Sequence, residues 1–388
     1  MLGFLLACGH AVNEGDSGDT ADSAAEDSGW DYESGGWLYG DETLQFSLEL
    51  DEAALAALAV SPKEDVHGTF TWEGEAYDVG VHLKGSPAGA FRDMTEKAAI
   101  KVDFHQWDAE QTFHGVKRLT LNNMIQDNTM SHEHAAYWLF RKMGVPAARH
   151  GYAELTVNGE LFGLYGLPES MDEQFLERQW PGDDDGYLLE GGYGGDFYST
   201  SEPKWTAQEG DPAEAQATLD VLIDEFESTP ADEIHTFLET RFDYTNLLTM
   251  WAVELAIADS DGYLTYGNNF LVYYAPGADR WSMLPWGPDQ AFASDQPINF
   301  TAEGDLALAC RADEACEADL EAFLAAVLIN WESGEFVAFV DAETARIEDD
   351  CRTDPRSEWG DYGCRDALAA LREWVRARPA IVGAELEP

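Results

Sequence analysis

The chain has 388 residues, of which 45% are hydrophobic and 12% aromatic, so it can bury a large core in two or three domains or in one two-lobed domain. Its 75 acidic residues face only 22 Lys and Arg, which gives a formal net charge of -53. This balance excludes general binding to nucleic acid or to anionic lipid, because both require a basic surface, and it favours cations as partners.

The first eight residues resemble the end of a bacterial lipoprotein signal, in which Cys8 becomes the lipidated residue. The apolar run is short and no basic segment precedes it, so residues 1–8 are interpreted as a truncated signal, with a chance cysteine as the alternative. Residues 9–40 are acidic and rich in Ser and Gly, which predicts a disordered spacer. No run of about 20 apolar residues occurs, so membrane contact is expected only through Cys8, and the protein is expected to be exported to the periplasm or cell surface.

The next part of the chain is predicted to be mostly strands. Residues 44–58 indicate a strand that leads into a short helix, and residues 68–86 alternate around Glu73-Gly74 as in a hairpin. A loop of small residues follows from Lys84 to Gly89. Residues 97–104 predict another strand, with Lys97 and Lys101 on one face. Two lysines on one strand are unusual in a chain with so few bases, although an exposed edge strand explains them equally well.

A helix and a hairpin are predicted next. Residues 131–144 indicate a helix with Ser131 as its N-cap, Gly144 as its stop and Glu133 in its first turn. Asn158-Gly159 lies between two alternating segments, which is the signal of a type I′ hairpin.

Helices are predicted to dominate from residue 213 onward. A strongly apolar helix over 245–258 leads directly to Asp261, and two strands then follow over 268–286 and deliver Asp289. The acidic and Gly-rich stretches at 183–186 and 191–196 have neither EF-hand nor P-loop spacing and are interpreted as ordinary loops.

Four cysteines lie in the last quarter of the chain, and none is at zinc-ligand spacing. They allow three disulfide connectivities, of which the local pairs Cys310–Cys316 and Cys351–Cys364 are the simplest. Disulfides would agree with export to an oxidising compartment, whereas four reduced thiols would indicate a cytosolic protein.

In chain order, the polar residues form a phosphoryl-transfer layout. A strand lysine is followed by a helix with an early Glu, then by Asp261 at the end of a buried helix, Asn269 eight residues later and Asp289 after a hairpin. Protein kinases need a lysine for the nucleotide phosphates, a Glu that orients it, an Asp for the acceptor hydroxyl, and an Asn and a second Asp for magnesium. The segment 98–101, AAIK, is also similar to the kinase strand motif V-A-I-K.

Several consecutive segments resemble the CotH (spore coat protein H) kinase family over roughly residues 80–295. They are LKGS, KAAIKVDF, GVKRLTLNN, SHEHAAYWLFRKMGVPAAR, YAELTVNGELFGLYGLPE, DGYLTYGNNFLVYY and RWSMLPWGPDQAF. The resemblance implies an α+β, atypical protein-kinase-like two-lobe fold, with a β-rich N-lobe over 41–168 and a mainly helical C-lobe over 169–388. It also implies ATP and Mg²⁺ as cofactors, with Mn²⁺ as an alternative, and a Ser/Thr-containing acceptor protein.

The resemblance also implies roles for individual residues. Catalytic roles fall to Asp261, Lys101 and Glu133, the nucleotide site to Lys84, Gly85, Ser86, Lys97, Lys101 and Glu169, and the metal site to Asn268 or Asn269 and Asp289. Lys101 is the expected phosphate lysine and ion-pair partner of Glu133, with Lys84 and Lys97 as rivals.

Two departures from the family pattern leave other functions open. Gly287 stands where many members have an Asp, and the spacing from Asp261 to Asn269 exceeds that of the ordinary kinase catalytic loop. A catalytically inactive coat scaffold or surface adhesin on the same fold is therefore the main alternative to an exported Ser/Thr kinase. A calcium-stabilised acidic surface protein is a third hypothesis.

Overall fold

The structure, a computed structural model, describes residues 35–86, 89–294, 296–298 and 302–386. Cys8 and most of the predicted spacer lie outside the described residues. The last residues of that spacer do not match the prediction, because Gly36–Tyr39 form a 3₁₀ turn that buries Trp37 and Leu38 in the core. The aromatic and aliphatic side chains of this short segment outweigh its polar surroundings, so the folded part begins before residue 40.

The N-terminal lobe is built on one seven-stranded sheet with the order β5-β4-β3-β2-β1-β6-β7. Its strands are β1 Thr43–Glu49, β2 Val66–Trp72, β3 Glu75–Lys84, β4 Ala99–Asp103, β5 Arg118–Leu121, β6 His150–Val157 and β7 Glu160–Pro168, and its helices are α1 Glu52–Val60 and α2 His132–Lys142. All neighbouring strands are antiparallel except β1 and β6, which are parallel.

The sheet curls until its two edges meet. The backbone of Asn122, next to β5, exchanges hydrogen bonds of 2.8 and 3.0 Å with Gly166 of β7. The enclosed core contains stacked and edge-on aromatic rings, among them Phe46, Phe70 and Phe113. One face of each strand therefore fills this core, and the other face is available to the C-terminal lobe.

The two predicted hairpins form as expected. Glu73 and Gly74 have φ of 48° and 88°, and Asn158 and Gly159 have φ of 50° and 79°. Two consecutive positive φ angles are the requirement of a type I′ turn, which Asn-Gly satisfies at little cost.

The C-terminal lobe combines helices with a four-stranded antiparallel sheet of order β11-β10-β8-β9. Its strands are β8 Tyr187–Gly191, β9 Trp205–Glu209, β10 Phe270–Ala275 and β11 Arg280–Pro285. Its helices are α3 Glu173–Gln179, α4 Pro212–Ser228, α5 Ile234–Arg241, α6 Tyr244–Ile257, α7 Tyr263–Tyr266, α8 Asp305–Ala312, α9 Glu314–Glu332, α10 Glu335–Thr353 and α11 Gly360–Leu386. The expected two-lobe α+β architecture, β-rich first and mainly helical afterwards, is confirmed.

The predicted apolar helix is α6, and it forms the centre of the C-terminal lobe. Asp243 caps its N-terminus by accepting a hydrogen bond from Asn246 N, and every residue from Asn246 to Ile257 is buried. A helix that is apolar on all sides belongs in a protein core, and α9 and α11 pack around it. Its far end therefore delivers Asp261 from a rigid support.

Both expected local disulfides are present, Cys310–Cys316 and Cys351–Cys364. The second closes the connection between α10 and α11, and this connection reaches the N-terminal lobe. There Asp354 accepts hydrogen bonds from Lys97 Nζ at 2.6 Å and from Leu164 N of β7 at 2.9 Å. Both side chains of the Lys97–Asp354 ion pair are essentially buried, at 1% and 0% exposure.

Within the described ranges, no single helix is long and apolar enough to cross a membrane. The bent pair α9 and α10 reaches the necessary length and composition only jointly, across a bend of 60°.

Candidate active site

The first turn of α2 is fixed by side chains from three elements. Asp127, rather than the predicted Ser131, caps the helix by accepting a hydrogen bond from His132 N at 2.7 Å. Glu133 accepts one from Asn122 Nδ2 at 2.8 Å and lies 3.5 Å from His150 Nε2. Burial alone would raise the pKa of Glu133, but His150, Lys84 and Asn122 together hold it below its ordinary value. Glu133 is therefore an ionised carboxylate held toward the sheet.

Two lysines lie on one face of the sheet, close to α2. Lys101 is paired with His82 across β3 and β4, and Lys84 with Ala99, so both lysines point to the outer face. Burial lowers the pKa of Lys84, while Glu133, Asp289 and Glu190 oppose that shift. Burial also lowers the pKa of Lys101, and the positive charge of Lys84 adds to the effect. Two partly desolvated cations side by side form a strong site for an anion.

The C-terminal lobe places an acid that acts on both lysines, and an aromatic ring, next to this face. Glu190 of β8 is the carboxylate whose charge acts on both Lys84 and Lys101. Lys84 Nζ lies 5.7 Å from the ring centroid of Trp286, within cation–π distance. The lysine face of the sheet is therefore the N-terminal side of the candidate site, and Glu190 and Trp286 lie next to it on the side of the C-terminal lobe.

The C-terminal side of the candidate site carries Asp261 and the two asparagines. Asn268 Nδ2 donates to Asp261 Oδ1 at 3.1 Å, and Asn269 Nδ2 donates to Oδ2 at 2.9 Å. Asn269 has a left-handed backbone with φ of 51°, a conformation that Asn tolerates better than most residues. Both carboxylate oxygens of Asp261 are thus oriented by amides, and the structure brings all three predicted residues together.

Asp289 lies between Asp261 and α2. Its backbone oxygen is 3.1 Å from His132 Nδ1, and its N–H donates to Gly287 O at 2.9 Å. Burial raises the pKa of Asp289 well above its ordinary value, and the neighbouring carboxylates, first of them Glu133, add to this shift. A buried acid among acids is destabilised when ionised unless a cation compensates it.

The other residues predicted for the nucleotide site lie in different surroundings. Gly85 has φ of 103° and accepts a hydrogen bond from Lys63 Nζ, and Ser86 begins the small-residue loop, whose residues 87–88 lie outside the described ranges. Lys97 is occupied by Asp354 in the core. Glu169 accepts hydrogen bonds from Arg149 at 2.7 Å and Arg178 at 2.6 Å. The geometry therefore favours Lys84 and Lys101 over Lys97 as the lysines of the candidate site.

The predicted Lys101–Glu133 ion pair is wrong as stated, because the described residues contain no such pair. Glu133 bonds to Asn122, and the lysine whose charge lowers its pKa is Lys84. Lys84 is the last residue of β3, whereas Lys101 is interior to β4.

Comparison with known proteins identifies the family of the chain. The sequence profile of the family described as CotH kinase protein matches residues 82–382, which is more than three quarters of the chain. The chain belongs to the CotH kinase family. The matched range begins within β3 and ends within α11, so it contains Lys84, Lys101, Asp261 and Asp289.

Curated relatives in this family are similar at low identity. The chain is 25% identical over 248 residues to the invasin CotH2 of Rhizopus delemar, which covers 60% of the chain and 41% of the relative. It is 20% identical over 227 residues to the inner spore coat protein H of Bacillus subtilis, covering 56% and 60% respectively. A shorter match of 74 residues, 34% identical, links 19% of the chain to 22% of an inner spore coat protein H-like protein of the same organism. The chain thus spans 41% and 60% of the two longer matches.

The residues of this candidate site fit a magnesium–phosphate complex better than an isolated metal ion. Among the described residues, no three His, Cys, Asp or Glu side chains converge to hold a metal. Mg²⁺ in nucleotide sites is usually held by one or two protein oxygens together with phosphate oxygens and water. Asp289 supplies a carboxyl group whose ionised form burial and the neighbouring acids disfavour, and Asn269 supplies a neighbouring amide, so these residues fit that arrangement.

Several site residues escaped the analysis of the sequence. Glu190 faces both lysines, and the signal that marks it is a charged residue at the end of the apolar strand segment YLL. Tyr137 of α2 accepts a hydrogen bond from Gly287 N at 3.1 Å and ties the Asp289 segment to the N-terminal lobe. A tyrosine in an amphipathic helix carries no sequence signal for that contact, because the partner lies 150 residues away.

Proposed function

We propose that the chain is an exported, ATP-dependent protein kinase that transfers the γ-phosphate of ATP to a Ser or Thr hydroxyl of a coat or surface protein. Mg²⁺ is the proposed metal, with Mn²⁺ as the alternative. The observation that carries the proposal is the nearness of charges: Lys84 feels Glu133 and Asp289, and Asp289 in turn feels Asp261, whose carboxylate is held by Asn269. These are the charges that phosphoryl transfer requires.

The lysines bind and orient the nucleotide in this proposal. Lys84 and Lys101 neutralise phosphate oxygens, and Glu133 keeps Lys84 extended from the end of β3. Burial strengthens these contacts, because charge interactions are stronger away from bulk water. Glu190 repels a phosphate that approaches without its cation, which favours the metal complex over free ATP.

Asp261 orients the acceptor hydroxyl and accepts its proton as the oxygen attacks the γ-phosphate. The two amide donors on Asp261 hold its carboxylate in one orientation before the substrate arrives. Mg²⁺ would neutralise the charge that the phosphate oxygens carry, and Asn269 and Asp289 are the residues that would hold it.

Export is proposed from the two disulfides and from the names of the relatives, which are an invasin and spore coat proteins. A lipid anchor at Cys8, with the following residues as a spacer, is part of the same proposal.

The test is phosphorylation of a Ser-rich basic peptide by the full chain, followed by mass spectrometry. Asp261→Asn should lower turnover roughly 10²- to 10⁴-fold with ATP affinity nearly unchanged. Asp289→Asn should weaken ATP binding only when Mg²⁺ is present. Asp349→Asn, which changes a side chain that is 93% exposed, is the control. Equal turnover in the wild type and Asp261→Asn would refute the mechanism.

The second candidate function is a catalytically inactive coat scaffold or adhesin. Gly287 favours it, because no carboxylate is present where many family members have one. Thermal unfolding separates the two functions, since ATP with Mg²⁺ at 100 times its dissociation constant should stabilise a kinase by about 2.7 kcal/mol. No shift and no phosphorylated product would support the scaffold.

A further inference from the structure

The segment that carries Asp261 is a tight connection between two helices. The chain leaves α6 through Ala258, which is left-handed with φ of 51°, and enters α7 at Tyr263. A non-glycine residue in this region is strained, so the surrounding structure has to hold it. Two buried carboxyl groups surround this connection, and the proposed phosphoryl transfer uses neither of them.

Glu254 closes the connection from the last turn of α6. Glu254 is only 2% exposed, and both of its carboxylate oxygens accept hydrogen bonds from backbone N–H groups. Oε1 accepts from Tyr263 N at 3.1 Å and Oε2 from Leu264 N at 2.8 Å. The Glu254 side chain thus joins the end of α6 to the start of α7. Its hydrogen bonds close a ring of chain from residue 254 to residue 264, and Asp261 lies within this ring.

Asp259 acts on Asp261 itself. Asp259 is 3% exposed, and its Oδ1 accepts a hydrogen bond from Asp261 N at 3.2 Å. Its backbone oxygen accepts one from Thr265 Oγ1 at 2.7 Å. Asp259 therefore fixes the backbone direction from which the Asp261 carboxylate extends.

The space between the two carboxyl groups is filled by Gly262. A Cβ atom at Gly262 would lie 2.9 Å from Glu254 Oε1 and 3.1 Å from Asp259 Cγ. Glu254 and Asp259 thus both pack against the backbone of Gly262, and there is no room at this position for a side chain.

We propose that Glu254 and Asp259 are positioning residues that hold Asp261 in its catalytic orientation, with Gly262 as the residue that lets both carboxyl groups approach. The effect on turnover rests on the proposed kinase function, whereas the effect on the order of the connection does not. A displacement of a reacting group by about 1 Å can cost about 100-fold in rate, so loss of this support should be visible in turnover.

The charges around the connection make its order dependent on pH. Burial raises the pKa of Glu254, and the charge of the neighbouring Asp259 adds to the shift. Burial also raises the pKa of Asp259, and the hydrogen bond from the Asp261 backbone opposes that shift. Asp289 and Tyr137 also face the charge of Asp259. Burial favours the protonated, neutral forms of Glu254 and Asp259. When these groups lose their protons as pH rises, their negative charges repel each other, and the connection between α6 and α7 should become less ordered.

The experiment compares Glu254→Gln with Asp243→Ala in the full chain. Gln keeps one acceptor for the two N–H groups and cannot ionise, whereas Asp243→Ala removes the cap at the other end of α6, at a typical cost of about 0.5–2 kcal/mol. Amide hydrogen exchange over residues 258–265 and steady-state kinetics from pH 6 to 9 are measured for each. The probe substrates are ATP with Mg²⁺ and a Ser-rich basic peptide.

Glu254→Gln should speed amide exchange at Tyr263 and Leu264 at least 10-fold, lower kcat about 10- to 100-fold, and leave KM for ATP within about twofold. It should also flatten the alkaline decline of kcat. Asp243→Ala should change neither the amide exchange at Tyr263 and Leu264 nor kcat, KM and their pH dependence, once the values are corrected for the fraction of folded protein. Unchanged exchange in Glu254→Gln, or exchange that rises equally in both variants, would overturn the proposal. If the wild type transfers no phosphate, the kinase function fails, and the exchange data alone decide whether Glu254 orders the connection.

Discussion

At the residue scale, the central question is which lysine binds phosphate. Sequence spacing favoured Lys101 because AAIK is similar to a kinase motif, yet Lys84 is the lysine whose charge reaches Glu133 and Asp289. A period of two places both lysines on the same face but cannot tell which one lies nearer to α2. That distance depends on how the sheet curls, which is a property of the whole lobe.

Lys84→Met should therefore weaken ATP binding more than Lys101→Met. Loss of a charged hydrogen bond costs about 1.5–3 kcal/mol, which corresponds to about 10- to 100-fold in affinity. Calorimetric titration of ATP with Mg²⁺ gives the affinity, and Lys117→Met, which changes a lysine paired with Glu173 at the surface, is the control. A larger loss with Lys101→Met would restore the assignment made from the sequence.

Gly287 is the second residue whose replacement is informative. It has φ of 54°, and a Cβ atom there would meet only Asn269 Cγ, at 4.0 Å. Asp tolerates this backbone region better than most residues, so Gly287→Asp should cost at most about 1 kcal/mol of stability. The added carboxylate should raise Mg²⁺ affinity in the presence of ATP, because affinity increases with the number of charged ligands.

Gly287→Ala separates the carboxylate from the backbone effect, since Ala carries the strain without the charge. Titration of Mg²⁺ at fixed ATP concentration compares the three proteins. Equal Mg²⁺ affinity in Gly287→Asp and Gly287→Ala would show that position 287 does not face the metal.

At the scale of elements, local signals predicted the hairpins and α6, whereas long-range contacts were not predictable. The Asn-Gly pair favours a type I′ turn through its own backbone preferences. A helix that is apolar on all sides is predicted to be buried, whatever its neighbours in the core are. Lys97 and Asp354 are 257 residues apart in the sequence, so the residues around each of them do not predict that the two form a buried ion pair. Lys97 was consequently interpreted as a rival phosphate lysine.

The connection between α10 and α11 should stabilise the contact between the lobes. Replacing Cys351 and Cys364 together by Ser removes a closed loop for which chain entropy predicts about 3 kcal/mol. It should also free Asp354, so amide exchange at Leu164 should accelerate more than exchange elsewhere in β7. Urea unfolding and hydrogen exchange measure the two effects.

The matched control is the double Ser variant of Cys310 and Cys316, which opens a loop of similar kind between α8 and α9. That variant should lose stability without selective exchange at Leu164. If both variants expose Leu164 equally, the second disulfide has no special role at the contact between the lobes.

At the scale of the whole molecule, the bases are few and most serve structure. Arg378 of α11 is 1% exposed and donates to the backbone oxygens of Leu255 and Ala256, the last turn of α6. Arg92 and Arg356 hold the connection after α10 against the N-terminal lobe. With so many bases used in this way, the excess of acids on the surface stays uncompensated.

Monovalent salt should therefore stabilise the folded chain. A net charge of -53 on a compact body produces self-repulsion that the unfolded chain relieves. The Debye length falls from about 30 Å at 0.01 M to about 10 Å at 0.1 M, so most of this repulsion should be screened within that range. We expect Tm to rise steeply between 0.01 and 0.1 M NaCl at pH 7 and more slowly above it, as measured by scanning calorimetry. Repeating the series with KCl separates screening from binding of one particular cation, because screening depends only on ionic strength. A Tm that stays constant from 0.01 to 0.3 M in both salts would show that the acidic surface does not limit stability.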